Sequence, residues 1–230
     1  MPADSIVHNK THLSTLRLAS IVLFVIMIFA FCFTGHMVTH HCRLAFDTTI
    51  VTWLQALRSP TMTRCVSAIT FFGSRYFLFP CYTVLVVYYL FFQKKLWFGV
   101  AVASLGFFGN GLLFLMQDVF QRRRPVDPLI SNVNGYGYPS GHSFASFMFA
   151  GLLCFLVWQK HWQIKWKLIL VIVLFCIASV IALSRAYLHV HYPTDVLGGF
   201  YLAILWLIPF WWIFYFVGKR YHSTNHLLKQ

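Results

Sequence analysis

The sequence predicts an all-α integral membrane protein: a six-helix bundle with short amphipathic extracytoplasmic helices after the first span. Three observations carry that expectation. Of 230 residues, 59% are apolar and only 10% charged, a balance that no soluble core of this size needs. The apolar residues gather into about six runs, each near the roughly 20 residues that cross a bilayer. Polar clusters then fall at the ends of these runs, where charge is costly and marks a functional site by default.

The runs can be taken in order. Met1 to Arg17 is polar, and Leu18 to Gly35 follows as the first span. The segment Cys32-Phe33-Thr34-Gly35-His36 makes a poor cleavage site, so the helix is expected to be retained rather than removed as a signal peptide. Asp47 to Phe72 is less hydrophobic and broken by Pro60. Its apolar residues repeat at helical spacing, with Asp47 as the expected N-cap, which predicts two short amphipathic helices lying on or dipping into the membrane. Further spans are expected at Tyr76 to Phe92, Leu96 to Met116, Ser143 to Trp158, Leu168 to Leu183 and Val196 to Val217. No repeat or low-complexity linker divides them, so residues 18–217 form one domain between a short N-terminal segment, 1–17, and a tail, 218–230.

A net charge of +13 raises the question of nucleic acid, but the basic residues are spread over short loops rather than gathered into one stripe. No nucleic-acid partner is expected; an anionic lipid or a phosphate-bearing substrate is. If six spans alternate, every lysine falls on the side of both termini, and by the positive-inside rule that side is cytoplasmic. The expected location is the plasma (inner) membrane, with the polar clusters opening outside.

Those clusters are Arg122-Arg123-Arg124-Pro125, Pro139-Ser140-Gly141-His142, and Ser184-Arg185 followed by His191 and Asp195. They close the third span, open the fourth, close the fifth and open the sixth, so all lie on one membrane face. The planar donor forks of Arg124 and Arg185 suit phosphate oxygens. Ser140-Gly141-His142 at a helix start adds backbone N–H groups and the positive end of a helix dipole. Asp195 stands four residues after His191, a spacing at which its carboxylate accepts from one imidazole nitrogen and leaves the other as a nucleophile. His142 is placed to protonate a leaving oxygen. Such a set meets the positioning and charge demands of phosphoryl transfer without a metal.

The same residues resemble the type 2 phosphatidic acid phosphatase superfamily, whose pattern is K-x6-R-P, then P-S-G-H, then S-R-x5-H-x3-D. The resemblance implies a six-helix bundle with its site at the outer face and no cofactor. It also implies a phosphohistidine on His191, Asp195 as its orienter, His142 as general acid, and Arg124, Arg185, Ser140 and Gly141 as phosphate ligands. One position departs from the pattern: Gln117 stands where the family carries lysine. Glutamine donates a hydrogen bond but brings no charge, and Arg122 or Arg123 is the candidate to compensate. The implied activity is hydrolysis of a lipid phosphomonoester or diphosphate, of the undecaprenyl diphosphate, phosphatidic acid or phosphatidylglycerol phosphate class. Transfer to an acceptor lipid and non-catalytic binding or transport of an anionic lipid are the alternatives.

Other features receive simpler readings. Cys32, Cys81, Cys154 and Cys176 fall in apolar runs and no Cys-x-x-Cys occurs, so they are packing residues. Cys42 and Cys65 share one inter-helix segment and are a candidate pair in an oxidising compartment. His189 and His191, and the cluster His36, His40 and His41, lack the carboxylates a metal site would draw on, so no metal is expected. Gly135, Gly137 and Gly141 match no nucleotide loop and are expected to shape the pocket by turns. Trp206, Trp211 and Trp212 are expected to form an interfacial belt. The small pairs Gly99 with Ala103 and Gly199 with Ala203 are expected to let helices pack closely within the bundle.

Overall fold

The computed structural model describes residues 3–40, 44–131 and 133–227, with side chains between 15 and 216. All its regular elements are helical: α1 (Ala3–His40), α2 (Ala45–Ala56), α3 (Pro60–Phe71), α4 (Arg75–Val87) running into a π-helical turn (Tyr88–Phe92), α5 (Leu96–Phe120), α6 (Gly141–Trp158), α7 (Ile164–Tyr187) and α8 (Pro193–Leu227). Six stretches among the described residues are long and apolar enough to cross a membrane. They fall where the sequence places spans, except that the second stretch, Pro60–Phe92, also takes in α3. Helix α7 runs on to Tyr187, past the expected end at Leu183, and α8 begins at Pro193, ahead of Val196, so Arg185 sits inside the last turn of a helix and Asp195 inside a first turn.

Both short helices between the first and second spans form as expected. Pro60 does not break a helix but starts one: α3 has Pro at its first turn, and the Ser59 side chain accepts from the Met62 N–H at 3.1 Å, a capped start with proline where no N–H is missed. Asp47 is not a cap. Leu44 occupies that position with no side-chain bond, while Asp47 lies in the first turn of α2 and is fully buried. Its exposed neighbours Phe46 and Trp53 leave α2 with an apolar outer face, as a helix at a membrane surface would have.

Helix α6 is central, packed against both α7 and α8, with α1 against α8, α4 against α5, and α3 against α7. The core runs through Leu105, Phe144, Met148, Leu152 and Ala203. Small residues set the approaches: a Cβ on Gly99 would fall 2.5 Å from Leu90 Cδ2, and one on Gly151 would overlap Leu207 Cδ1. The expected tryptophan belt is corrected in part. Trp206 donates to the Leu105 carbonyl at 3.1 Å and Trp211 stacks on Phe155 at 3.6 Å, so both tie helices together. Exposed tryptophans instead flank the α6–α7 turn, where Lys167 lies over Trp158 and Lys165 over Trp166, each at 5.6 Å. Cys65 is free and exposed; Cys42 and His41 lie outside the described residues.

Candidate active site

The sequence-predicted clusters meet because the starts of α6 and α8 are stitched together. Ser140 N–H donates to the Asp195 carbonyl at 2.9 Å, and Ser143 Oγ donates to the Val196 carbonyl at 2.7 Å. Gly199 permits this: a Cβ there would stand 2.5 Å from the Ser140 carbonyl oxygen and 2.8 Å from Ser143 Cβ. The loop between α5 and α6 is tied to the same place by Gly137 N–H on the Arg122 carbonyl at 2.7 Å, and by Leu129 N–H on the Leu188 carbonyl at 2.9 Å. Tyr138, wholly buried and cis to Pro139, carries a hydroxyl 2.8 Å from Thr34 Oγ1 on α1. Burial raises the pKa of that phenol, so it stays neutral, as a hydrogen-bonding anchor must.

His191 is 1% exposed. Its Nδ1 lies 2.8 Å from the Gly137 carbonyl and its Nε2 2.8 Å from the Arg124 guanidinium. A carbonyl can only accept and a guanidinium can only donate, so Nδ1 carries the proton and Nε2 presents its lone pair. Burial lowers the pKa of this imidazole to about 4; Asp195 opposes that shift, while the charges of Arg124 and Arg185 add to it. It is a neutral base at pH 7. The expected orienter is replaced: Asp195 Oδ2 is 3.6 Å from Nδ1, too long for a hydrogen bond, and accepts from the Tyr192 N–H at 2.8 Å instead. The backbone of Gly137 turns the ring.

Arg122 is no substitute for the absent lysine. Buried between two carboxylates, it reaches Asp47 Oδ2 at 2.8 Å and Asp195 Oδ1 at 2.5 Å, and its guanidinium lies 4.4 Å over the Tyr192 ring. Desolvation would pull its pKa down, but the two aspartates outweigh that and hold it above the ordinary value. Thr194 completes the cluster, its hydroxyl 2.7 Å from both Arg122 and Asp47 and its N–H 2.9 Å from Asp47 Oδ1. Asp47 and Thr194 are the site residues that motif reasoning missed, and Arg122 takes a different role from the compensating one expected of it. The signal was present, since Asp47 is one of only five acidic residues and an unpaired carboxylate in a membrane-surface helix needs a cation.

The remaining cations of the motifs are Arg124 and Arg185, whose charges act on one another and on His191. Arg124 is held by the carbonyls of Gly135, at 2.9 Å, and Val190, at 3.2 Å; Gly135 sits at φ +82°, where glycine alone is unstrained. Burial lowers the Arg124 pKa and Asp195 opposes it. Arg185 donates to Thr70 on α3 at 2.9 Å, while its Nε and the Ser140 hydroxyl are buried without partners. Buried polar atoms ordinarily find partners, so these two are donors with capacity left for a ligand's oxygens. His142, in the first turn of α6, packs against the α3–α4 elbow, where a Cβ on Gly73 would come within 3.4 Å of its ring. The charges of Arg185 and Arg124 and the ring of His191 all act on it electrostatically. Gln117 donates to the Pro139 carbonyl at 3.0 Å, bracing the turn ahead of Ser140. His36 and His40 pair ring to ring at 4.3 Å on α1, and no group of three or more metal-ligating side chains occurs among the described residues.

Guanidinium groups and open helix N–H groups that converge at one end of an apolar bundle suit an oxyanion carried by a lipid, and they define a membrane-embedded phosphatase. Residues 94–219 match the family model of the PAP2 superfamily, more than half of the chain, and the protein belongs to that superfamily. It is 33% identical over 152 residues to phosphatidylglycerophosphatase B of Bacillus subtilis, spanning 65% of this chain and 73% of that one. It is also 38% identical over 81 residues to the putative undecaprenyl-diphosphatase YbjG of Escherichia coli, spanning 31% and 36%. In architecture it resembles the transmembrane PAP2-type phosphatidylglycerolphosphate phosphatase of Bacillus subtilis, with a TM-score of 0.73 at 24% identity over 86% of this chain and 96% of that one. Aquifex aeolicus LpxE gives 0.55 at 22% identity over 73% and 95%.

Proposed function

We propose that this protein hydrolyses a phosphomonoester or diphosphate on a membrane lipid at the extracytoplasmic face, through a phosphohistidine on His191. The observation that carries this reading is the hydrogen-bond pattern of that one ring. With Nδ1 committed to the Gly137 carbonyl and the Nε2 lone pair turned toward a guanidinium, the nucleophilic atom already points at a group that binds phosphate.

The geometry supports the following steps. Phosphate oxygens take the donors of Arg124 and Arg185, the Ser140 hydroxyl, and the N–H groups at the start of α6 around Gly141, which have no partner within the helix. Nε2 then attacks phosphorus. The N–P bond forms as the ester P–O bond breaks, and the leaving oxygen takes a proton from His142. Neutral His142 next accepts a proton from water as that water attacks phosphorus; the N–P bond breaks and inorganic phosphate leaves. Charge on the non-bridging oxygens grows between the guanidinium groups, which need not reorganise. Asp195 acts at a remove, holding the His191 turn through the Tyr192 N–H.

The location rests on charge. Lys94, Lys95, Lys160, Lys165 and Lys167 lie at the bundle end away from these residues, which supports cytoplasmic placement of that end and of both termini. On the same reasoning we propose the domain limits 1–17, 18–217 and 218–230. The relatives' names support phosphatidylglycerol phosphate and undecaprenyl diphosphate as the first substrates to try, with phosphatidic acid third.

The test is phosphate release by purified protein from those three lipids in EDTA, with and without vanadate. Hydrolysis that survives EDTA, is blocked by vanadate and is lost in a folded His191→Ala variant is the expected result. Label from the substrate appearing on an acceptor lipid would replace hydrolysis by transfer, and undiminished turnover by His191→Ala would remove the mechanism.

A further inference from the structure

We infer that Asp47, on the surface helix α2, is a positioning residue for the reaction proposed above, acting on the His191–Asp195 turn through Arg122 and Thr194. Nothing in the phosphatase motifs includes it, and it lies outside the stretch, 94–219, that matches the family model.

The contacts form a closed chain. Both oxygens of Asp47 are used: Oδ1 accepts from the Thr194 N–H, and Oδ2 from the Thr194 hydroxyl and from Arg122. Thr194 is in the first turn of α8, next to Asp195. Arg122 reaches Asp195 Oδ1 with its other terminal nitrogen. Its backbone carbonyl fixes the N–H of Gly137, and the carbonyl of Gly137 sets the tautomer of His191. A single side chain on α2 thus holds both supports of the nucleophilic ring, the Asp195 side and the Gly137 side.

Charge gives the arrangement a second function. Arg122 alone against Asp195 would make a neutral pair, and the guanidinium would be free to draw the carboxylate away from the His191 turn. A second carboxylate on the far side divides the guanidinium's donors between two acceptors and leaves the buried cluster with one net negative charge, which acts on Arg124. Removing one partner of a buried ion cluster leaves the others uncompensated, so the effect should reach the ring rather than stay on α2.

Asp47→Asn keeps shape and removes the charge, but turns an amide donor toward Arg122 or the Thr194 hydroxyl. Measured on protein that elutes as folded material, kcat should fall on the order of 10- to 100-fold, the range a displaced catalytic group gives, with KM within about twofold because Arg124 and Arg185 are untouched. In an Asp195→Asn background the same change should cost measurably less than it does alone, since the route through Asp195 then ends at a neutral side chain and only the Gly137 side still depends on Asp47. If Asp47→Asn does not fold, Thr194→Val decides: it removes only the shared hydroxyl, and kcat should drop several-fold with KM steady. Wild-type kcat in whichever variant decides, a rise in KM in place of a fall in kcat, or full additivity with Asp195→Asn would overturn the assignment. Failure of the proposed chemistry itself would be seen separately, as turnover that survives His191→Ala.

Discussion

Gly199→Ala is the sharpest probe of how the helix crossing sets the site. The added Cβ would lie 2.5 Å from the Ser140 carbonyl oxygen, 2.8 Å from Ser143 Cβ and 3.0 Å from Phe144 N. Two of these are backbone atoms at the start of a helix, which cannot swing aside as a side-chain tip can. Restoring ordinary contact means moving the start of α6 away from α8 by roughly an ångström, at a cost of about 1–3 kcal/mol in stability by comparison with other overpacked cores. That displacement separates Ser140 and His142 on α6 from the His191 turn leading into α8. Misplacement on this scale costs on the order of 100-fold in rate, or about 2.7 kcal/mol of transition-state stabilisation. The assay is phosphate release by folded protein, beside the thermal midpoint in detergent. Gly111→Ala is the control: nothing lies within 4 Å of its Cβ, so activity should be unchanged and stability up by about 0.4–1 kcal/mol. A Gly199→Ala protein with wild-type kcat would refute the claim that this approach sets catalytic distances.

Other perturbations give separate readouts. Gln117→Lys should retain or raise turnover, because an ammonium can still donate to the Pro139 carbonyl and adds positive charge beside the phosphate hollow; a clearly slower variant would remove that role. With His191 at about 4 in the empty enzyme, its protonation should not limit kcat/KM above about pH 5, and the profile should fall as pH drops through 4. The sign for stability is the same: the unfolded chain binds this proton first, so up to roughly 3 kcal/mol, fully present above pH 6.5, is lost as pH falls toward 4. A midpoint of thermal unfolding that is flat from pH 7 to pH 4 would contradict a buried neutral ring.

Much of this was legible in the sequence. The spans stand out because a bilayer demands long apolar runs, and the motif residues because charge at the end of such a run is costly and survives only where it is used. Ser140, His142, Arg124, Arg185 and His191 meet at one end of the bundle. What the sequence could not reveal were partners supplied by backbone. A carbonyl such as that of Gly137 carries no residue-type signature, so the i, i+4 spacing of His191 and Asp195 pointed to the carboxylate as orienter when the ring turns to a peptide oxygen instead. Asp47 was hidden for a related reason: an acidic residue near a helix start reads as a cap, and its bond to Thr194 spans 147 residues. Trp206 and Trp211 resemble a belt in a linear string, and only the crossing of α8 with α5 and α6 reveals them as packing.

The contact between Arg124 and His191 has a consequence for the enzyme at rest. The guanidinium rests on His191 Nε2, so on the proposed mechanism the attacking lone pair would be stoppered between turnovers by the same cation that grips the substrate. On that reading an arriving phosphate would dislodge the stopper by competing for it, and departing phosphate would let it fall back. A stray electrophile or a weakly anionic head group, unable to pull the guanidinium aside, would find the nitrogen shut.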